Sequence, residues 1–163
     1  MLPRKPVNPD QALQKAKQYC AYQERSHSEV KEKLYSFGLR KNEVEQVLTQ
    51  LIEENYCNEE RFAELFAGGK FRMKQWGRIK IRHALQEKRI SDYCIKKALK
   101  TISDEDYLKT LEKLATQRWA SVKTEKNIFT RMAKTRDYLM QKGYEYDLVS
   151  QIVQQLKSPD AHS

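Results

Sequence analysis

The amino-acid sequence predicts an all-α protein, an elongated, curved array of three tandem three-helix (helix-turn-helix-like) repeats. Three observations predict it. Helix breakers are scarce, for among five Gly and four Pro the prolines (Pro3, Pro6, Pro9 and Pro159) all stand near the ends of the chain, so the interior has little to interrupt a helix. Apolar residues recur at i, i+3, i+4 and i+7, the period of a helix with one buried face. One turn, followed by one such ladder, returns three times at nearly constant spacing, and self-similarity of that kind marks a repeat architecture.

The repeated pattern is clearest from Leu34 to Leu51. A helix ends there, Gly38 turns the chain, and Val44, Val47, Leu48 and Leu51 share the next helical face. The same series follows at Leu85, Arg89, Ile90, Ile95, Ala98, Leu99 and Ile102. It follows again at Leu139, Gly143, Tyr144, Val149, Ile152, Val153 and Leu156. Gly38 and Gly143 suit a left-handed helix end, whereas Arg89 must either accept strain at that place or close its turn differently. A longer helix precedes each pair. The first runs from Asp10 to about Arg25 on Ala12, Leu13, Ala16, Tyr19 and Cys20. The second runs from Asn58 to about Met73 on Phe62, Ala63, Leu65 and Phe66. The third runs from Ser103 to about Ala120 on Tyr107, Leu108, Leu111, Leu114, Ala115 and Trp119. Ser26-His-Ser-Glu29 has the spacing of a capping box, and Asn58 and Ser103 are capping residues followed by acids. The expected organisation is a flexible tail over 1–9, repeats over 10–56, 57–102 and 103–157, and a flexible tail over 158–163. Such repeats leave apolar faces that neighbours must cover, which is the reason to expect a stacked, curved array.

The net charge of +9 makes a polyanion the default partner, by counterion release and steering. Charge is also segregated. Lys70, Arg72, Lys74, Arg78, Lys80, Arg82, Lys88 and Arg89 face one acid, Glu87, between Gly68 and Ile90. Between Asn42 and Glu64 the balance reverses, with Glu43, Glu45, Glu53, Glu54, Glu59, Glu60 and Glu64 against Arg61. Solubility alone needs no such polarity, so the basic run is a candidate polyanion surface. Arg78 and Arg82 lie one turn apart on a helix whose Ile81 and Leu85 turn to the core. Trp76 stands among the cations as either a stacking platform for a base or a lid over a joint between helices. Gly68-Gly69 falls inside an expected helix, where it either kinks the chain or is simply packed.

Other chemistry is poorly represented. No run of about 18 apolar residues would span a membrane, and the N-terminal segment does not read as a signal peptide. Cys20, Cys57 and Cys94 lie 37 residues apart and lack the close spacing of a zinc or redox pair, so reduced cytoplasmic thiols are expected. His27, His83 and His162 have no ligand-spaced partners, and no phosphate loop or nucleophile elbow occurs. The expectation is a protein without catalytic residues, metal or cofactor.

Three segments resemble the RecX family, regulators of the RecA recombinase. They are Arg25-Ser26-x-x-Glu29-Val30 with Leu34 and Gly38, Tyr56-Cys57-Asn58-Glu59-Glu60-Arg61-Phe62-Ala63, and Trp76-Gly77-Arg78-Ile79-Lys80-Ile81 with Leu85. The likeness extends over about residues 10–156. It departs at Asn55 and Arg89, where the family carries a turn Gly, at Cys57, where it carries a larger aliphatic residue, and at Gly68-Gly69. The resemblance implies a monomeric cytoplasmic protein that lodges in the groove of a RecA–DNA filament and restrains strand exchange, ATP hydrolysis or filament growth. It implies contact with single- and double-stranded DNA regardless of sequence. The candidate contact residues are Arg25, Arg61, Lys70, Arg72, Lys74, Trp76, Arg78, Lys80, Arg82, Lys88 and Arg89. The alternatives are a helix-turn-helix transcriptional regulator, or a scaffold that binds only proteins.

Overall fold

The computed structural model describes residues 7–158. Among them the chain forms α1 (Pro9–Tyr22), α2 (His27–Ser36), α3 (Lys41–Glu53), α4 (Glu59–Gly69), a π-helical turn (Lys70–Lys74), α5 (Arg78–Glu87), α6 (Asp92–Lys100), α7 (Asp104–Ser121), α8 (Ile128–Gln141) and α9 (Tyr146–Lys157), with no strand. The predicted order of three helices repeated three times is therefore present.

The helix starts follow from local chemistry. Asn8 and Gln11 form a reciprocal capping box at α1, and the Val7 amide donates to the Phe37 carbonyl at 3.0 Å. Residues 7–9 are thus tied to the helical body by these bonds. Residues 1–6 and 159–163 of the two tails lie outside the described residues. Ser26 Oγ accepts from the Glu29 amide at 3.2 Å, but the Glu29 carboxylate does not return to the Ser26 amide. It accepts from Ser26 Oγ and from Lys88 instead. Ser103 caps α7 through the Asp106 amide, and Asn58 Oδ1 accepts from the Arg61 amide. Each such cap is worth about 1 kcal/mol.

The three repeat turns share one backbone conformation. Gly38, Arg89 and Gly143 have φ of 87°, 61° and 98°. Arg89 therefore takes the left-handed conformation, and the following amides close the turn as they do after Gly143, with Ile90 N–H donating to Leu85 O and Tyr144 N–H to Leu139 O. Asn55 does the same at the end of α3, with φ 64°, a conformation that Asn tolerates better than most residues.

The expected helix from Asn58 to Met73 remains helical but changes pitch. α4 passes at Gly69 into the π turn, which the left-handed Gln75 terminates at φ 57°. Gly68 neither kinks nor ends the helix. A Cβ there would fall 2.8 Å from Arg72 Nη1, so the glycine makes room for the Arg72 guanidinium one turn on.

By compactness the chain divides into two units. The first comprises the described residues up to Phe66 together with Leu85–Ala98. The second comprises Ala67–Ala84 together with the described residues from Leu99 on. The middle repeat is therefore shared between them. In the first unit Ala12, Leu13, Ala16, Val30, Leu34, Val44, Val47, Leu48 and Leu51 form a buried cluster. In the second, Ile81, Tyr107, Leu111, Leu114, Leu139, Tyr144, Val149 and Val153 are buried. Phe71, Tyr107 and Tyr144 form a chain of ring contacts there, with centroids 6.0 and 5.1 Å apart.

Candidate functional site

The basic segment of the second unit is anchored by two backbone turns that press together. A Cβ on Gly77 would stand 2.3 Å from the Gly143 carbonyl oxygen, so only glycine permits this approach. Gly77 N–H donates to Lys142 O at 2.8 Å and Ile79 N–H to Gly143 O at 3.0 Å, while Tyr144 OH donates to Gln75 O at 2.9 Å. Arg78 adds a clamp. Its Nη1 lies 3.0 Å from Glu145 Oε2, its Nη2 lies 2.7 Å from Asp104 Oδ1, and its guanidinium sits 3.8 Å above the Tyr107 ring. Tyr107 OH accepts from the Arg78 amide at 3.0 Å and donates to Glu145. Burial, followed by that bond to a carboxylate, pushes the Tyr107 phenol well above its ordinary range. Burial does the same to Tyr144.

On this base stands a group of cations around an indole. Trp76 is half-buried, with Lys70 Nζ 4.9 Å and Lys80 Nζ 4.8 Å from its ring centre. Lys142 Nζ donates to the Lys74 carbonyl at 2.8 Å. Its ammonium is held below the usual lysine range by burial, then by the charges of Lys80 and Lys74. Lys142 is a member of the site that sequence reasoning missed. It lies 68 residues from Lys74 and outside any charge run, so only the docking of the two turns reveals it. Arg72, Lys74 and Arg82 are exposed, and neither they nor Lys80 forms an ion pair among the described residues. Like charges gathered with few internal counterions raise the local potential and favour an anionic ligand.

The other candidates are placed differently. In the first unit Arg25 stacks 3.8 Å over the Tyr19 ring, and its Nε donates to Tyr19 O. Arg61 pairs with Glu24 at 2.9 Å, and its two terminal nitrogens donate to Asn55 Oδ1 and Asn55 O, which clasps the left-handed turn after α3. Lys88 pairs with Glu29 at 3.1 Å and lies over the Phe62 and Phe66 rings. Arg89 is exposed on its strained turn. Arg78, though it shares a helix with Arg82, is engaged with Asp104, Glu145 and Tyr107. The structure thus brings together Lys70, Lys74, Trp76 and Lys80, with Arg72 and Arg82 exposed on the same basic segment. It directs Arg25, Arg61, Arg78 and Lys88 to internal partners.

Among the described residues no group of three His, Cys, Asp or Glu side chains could hold a metal ion. No helix there is long and apolar enough to cross a membrane. Cys94, which the sequence sets near Lys96 and Lys97, has its thiol pushed up by burial, so those lysines do not activate it.

Comparison with known proteins follows the same division of the sequence. Residues 12–51, 58–99 and 104–153 match the first, second and third three-helix domains of RecX. The regulatory protein RecX of Clostridium perfringens (strain 13 / Type A) is 31% identical over 133 residues, which cover 81% of this chain and 62% of that protein. The RecX of Lactococcus lactis subsp. cremoris (strain SK11) is 31% identical over 134 residues, covering 81% and 50%. The chain thus spans between half and two thirds of the length of these relatives. The crystal structure of RecX from Lactobacillus salivarius superposes with a TM-score of 0.83 at 24% identity, covering 91% of this chain and 96% of that one. A second crystal structure of a regulatory protein RecX gives 0.77 at 20% identity, covering 93% and 80%. With three consecutive domains matched in order along most of its length, this chain belongs to the RecX family.

Proposed function

We propose that the protein is a non-catalytic modulator of RecA–DNA filaments that inhibits recombinase activity, acting as a cytoplasmic monomer. The observation that carries this reading is the group of cations around Trp76. Its substrate is then a continuous polyanion, read through phosphates and an exposed base and not through base edges. Arg72, Lys74, Lys80 and Arg82 supply the charge, Trp76 supplies a stacking face, and Lys70 and Lys142 raise the local potential. Family membership supports RecA as the protein component. Arg25, Arg61, Arg78 and Lys88 serve the fold and contribute to binding only indirectly.

The test is RecA-dependent ATP hydrolysis on single-stranded DNA, titrated with the full chain at two salt concentrations. The Arg72→Ala/Lys74→Ala/Arg82→Ala variant is expected to need on the order of tenfold more protein for half-inhibition. Its log–log salt slope should flatten by about 2. Parent-like inhibition by this variant at both salts would remove the surface from the proposal.

A further inference from the structure

The first unit contains a second constellation that filament binding does not use. Cys20, in the last turn of α1, and Cys57, in the short connection between α3 and α4, place their sulfurs 3.5 Å apart inside the core. A disulfide needs about 2.05 Å, so the sulfurs must close by roughly 1.5 Å as the bond forms. Their spacing of 37 residues gave no hint of this in the sequence.

We propose that Cys20 and Cys57 form an intramolecular oxidation site, a dithiol that a hydroperoxide converts to a disulfide within the first three-helix unit. Cys20 reacts first. It is 8% exposed, against 1% for Cys57, so a small peroxide meets it at the edge of the core. The two sulfurs share a hydrogen bond in which either can donate. With Cys57 as the donor, and with help from the Arg25 and Arg61 charges, the Cys20 thiol is held below its usual range, against burial and Glu24. The Cys20 thiolate attacks one peroxide oxygen, the O–O bond breaks, and hydroxide leaves and takes up the thiol proton as water. Cys57 sulfur then attacks Cys20 Sγ, the S–O bond breaks, and the hydroxyl leaves with the Cys57 proton as a second water. Two thiols are oxidised, one peroxide is reduced, and the balance is two thiols plus hydrogen peroxide giving one disulfide and two waters.

Cys94 is the internal control. It is 7% exposed, nearly the same as Cys20, but its sulfur faces Glu59 Oε2 at 3.5 Å, and no second thiol lies beside it among the described residues. If exposure alone set reactivity the two would oxidise alike. If the neighbouring thiol sets it, Cys20 and Cys57 are lost together while Cys94 persists.

The experiment uses the full, reduced chain and hydrogen peroxide under native conditions. Alkylation in denaturant without reductant follows, then tryptic mass mapping. The expected product joins peptides 18–25 and 42–61, leaves peptide 90–96 alkylated, and reverts with dithiothreitol. Loss of the paired thiols should be about tenfold faster than loss of Cys94. In Cys57→Ala the chemistry should stop at a Cys20 sulfenic acid trapped by dimedone. In Cys20→Ser the buried Cys57 should stay alkylated. The proposal is overturned by any of four results in the parent. These are a Cys20 sulfinic or sulfonic acid without the link, a link through peptide 90–96, equal loss of all three thiols as in urea, or full alkylation after a peroxide dose that oxidises them in urea. The readout is chemical and independent of RecA, so its failure is distinct from failure of the proposed binding.

Discussion

Arg61 and the cations around Trp76 both stand in short sequence motifs rich in charge, yet they occupy opposite kinds of environment. Around Arg61, in the first unit, the donors are matched by Glu24 and by both oxygens of Asn55. Around Trp76, in the second unit, the cations crowd one another, and Lys142 loses basicity to burial and its neighbours. A matched guanidinium holds a turn together, whereas crowded like charges cost the fold some stability and raise the local positive potential. Positive charge in the sequence marks both, and only the placement of acids tells them apart.

Four variants would sharpen or break that contrast. The largest effect is expected for Gly77→Ala. The new Cβ would overlap the Gly143 carbonyl, so the variant should lose about 3 kcal/mol in urea denaturation, and the base of the cationic cluster should go with it. Arg61→Ala should cost about 1–2 kcal/mol, because it strips Glu24 and the Asn55 turn of partners while leaving polyanion binding near that of the parent. If that variant loses filament inhibition without losing stability, the division between internal and external cations is wrong. The buried phenols come next. Tyr107 and Tyr144 stay protonated in the folded chain above pH 10.0, their ordinary value, while unfolded tyrosines ionise there. Their contribution to stability is complete below that pH and declines as pH rises beyond it. Denaturation at pH 9 and pH 11 should show the loss, and Tyr144→Phe should reduce it. The smallest effect on stability belongs to Arg72→Ala/Lys74→Ala/Arg82→Ala, expected to remain within about 0.5 kcal/mol of the parent although it binds polyanions least well.

The helical period, the three turns and the capping residues were legible in the sequence because each is a local matter, fixed within about five residues. Asn58 and Ser103 start helices because their side chains reach amides three residues on. Arg89 shows the limit of local inference, since the repeat demanded a left-handed residue there and the chain supplies one without glycine. The π turn was not legible, because nothing in Lys70–Lys74 distinguishes it from an ordinary helix. The candidate site was legible only in part. Arg78 and Arg82 share a helix and a charge, but Asp104 and Glu145, 26 and 67 residues away, claim the first. No spacing rule foresees such partners, and none foresees Lys142.

The division of the middle repeat bears on how a truncated gene product would behave. A recombinant fragment cut at the repeat border before residue 103 would lack Phe71, Gly77 and Ile81, which the last three helices require as neighbours. Starting at residue 67 would retain them, but with the segment of Leu85–Ala98 carried along as an unsupported passenger. Sequence periodicity and autonomous folding therefore place their scissors at different points, and only a piece that spans both units leaves every described helix with its neighbours.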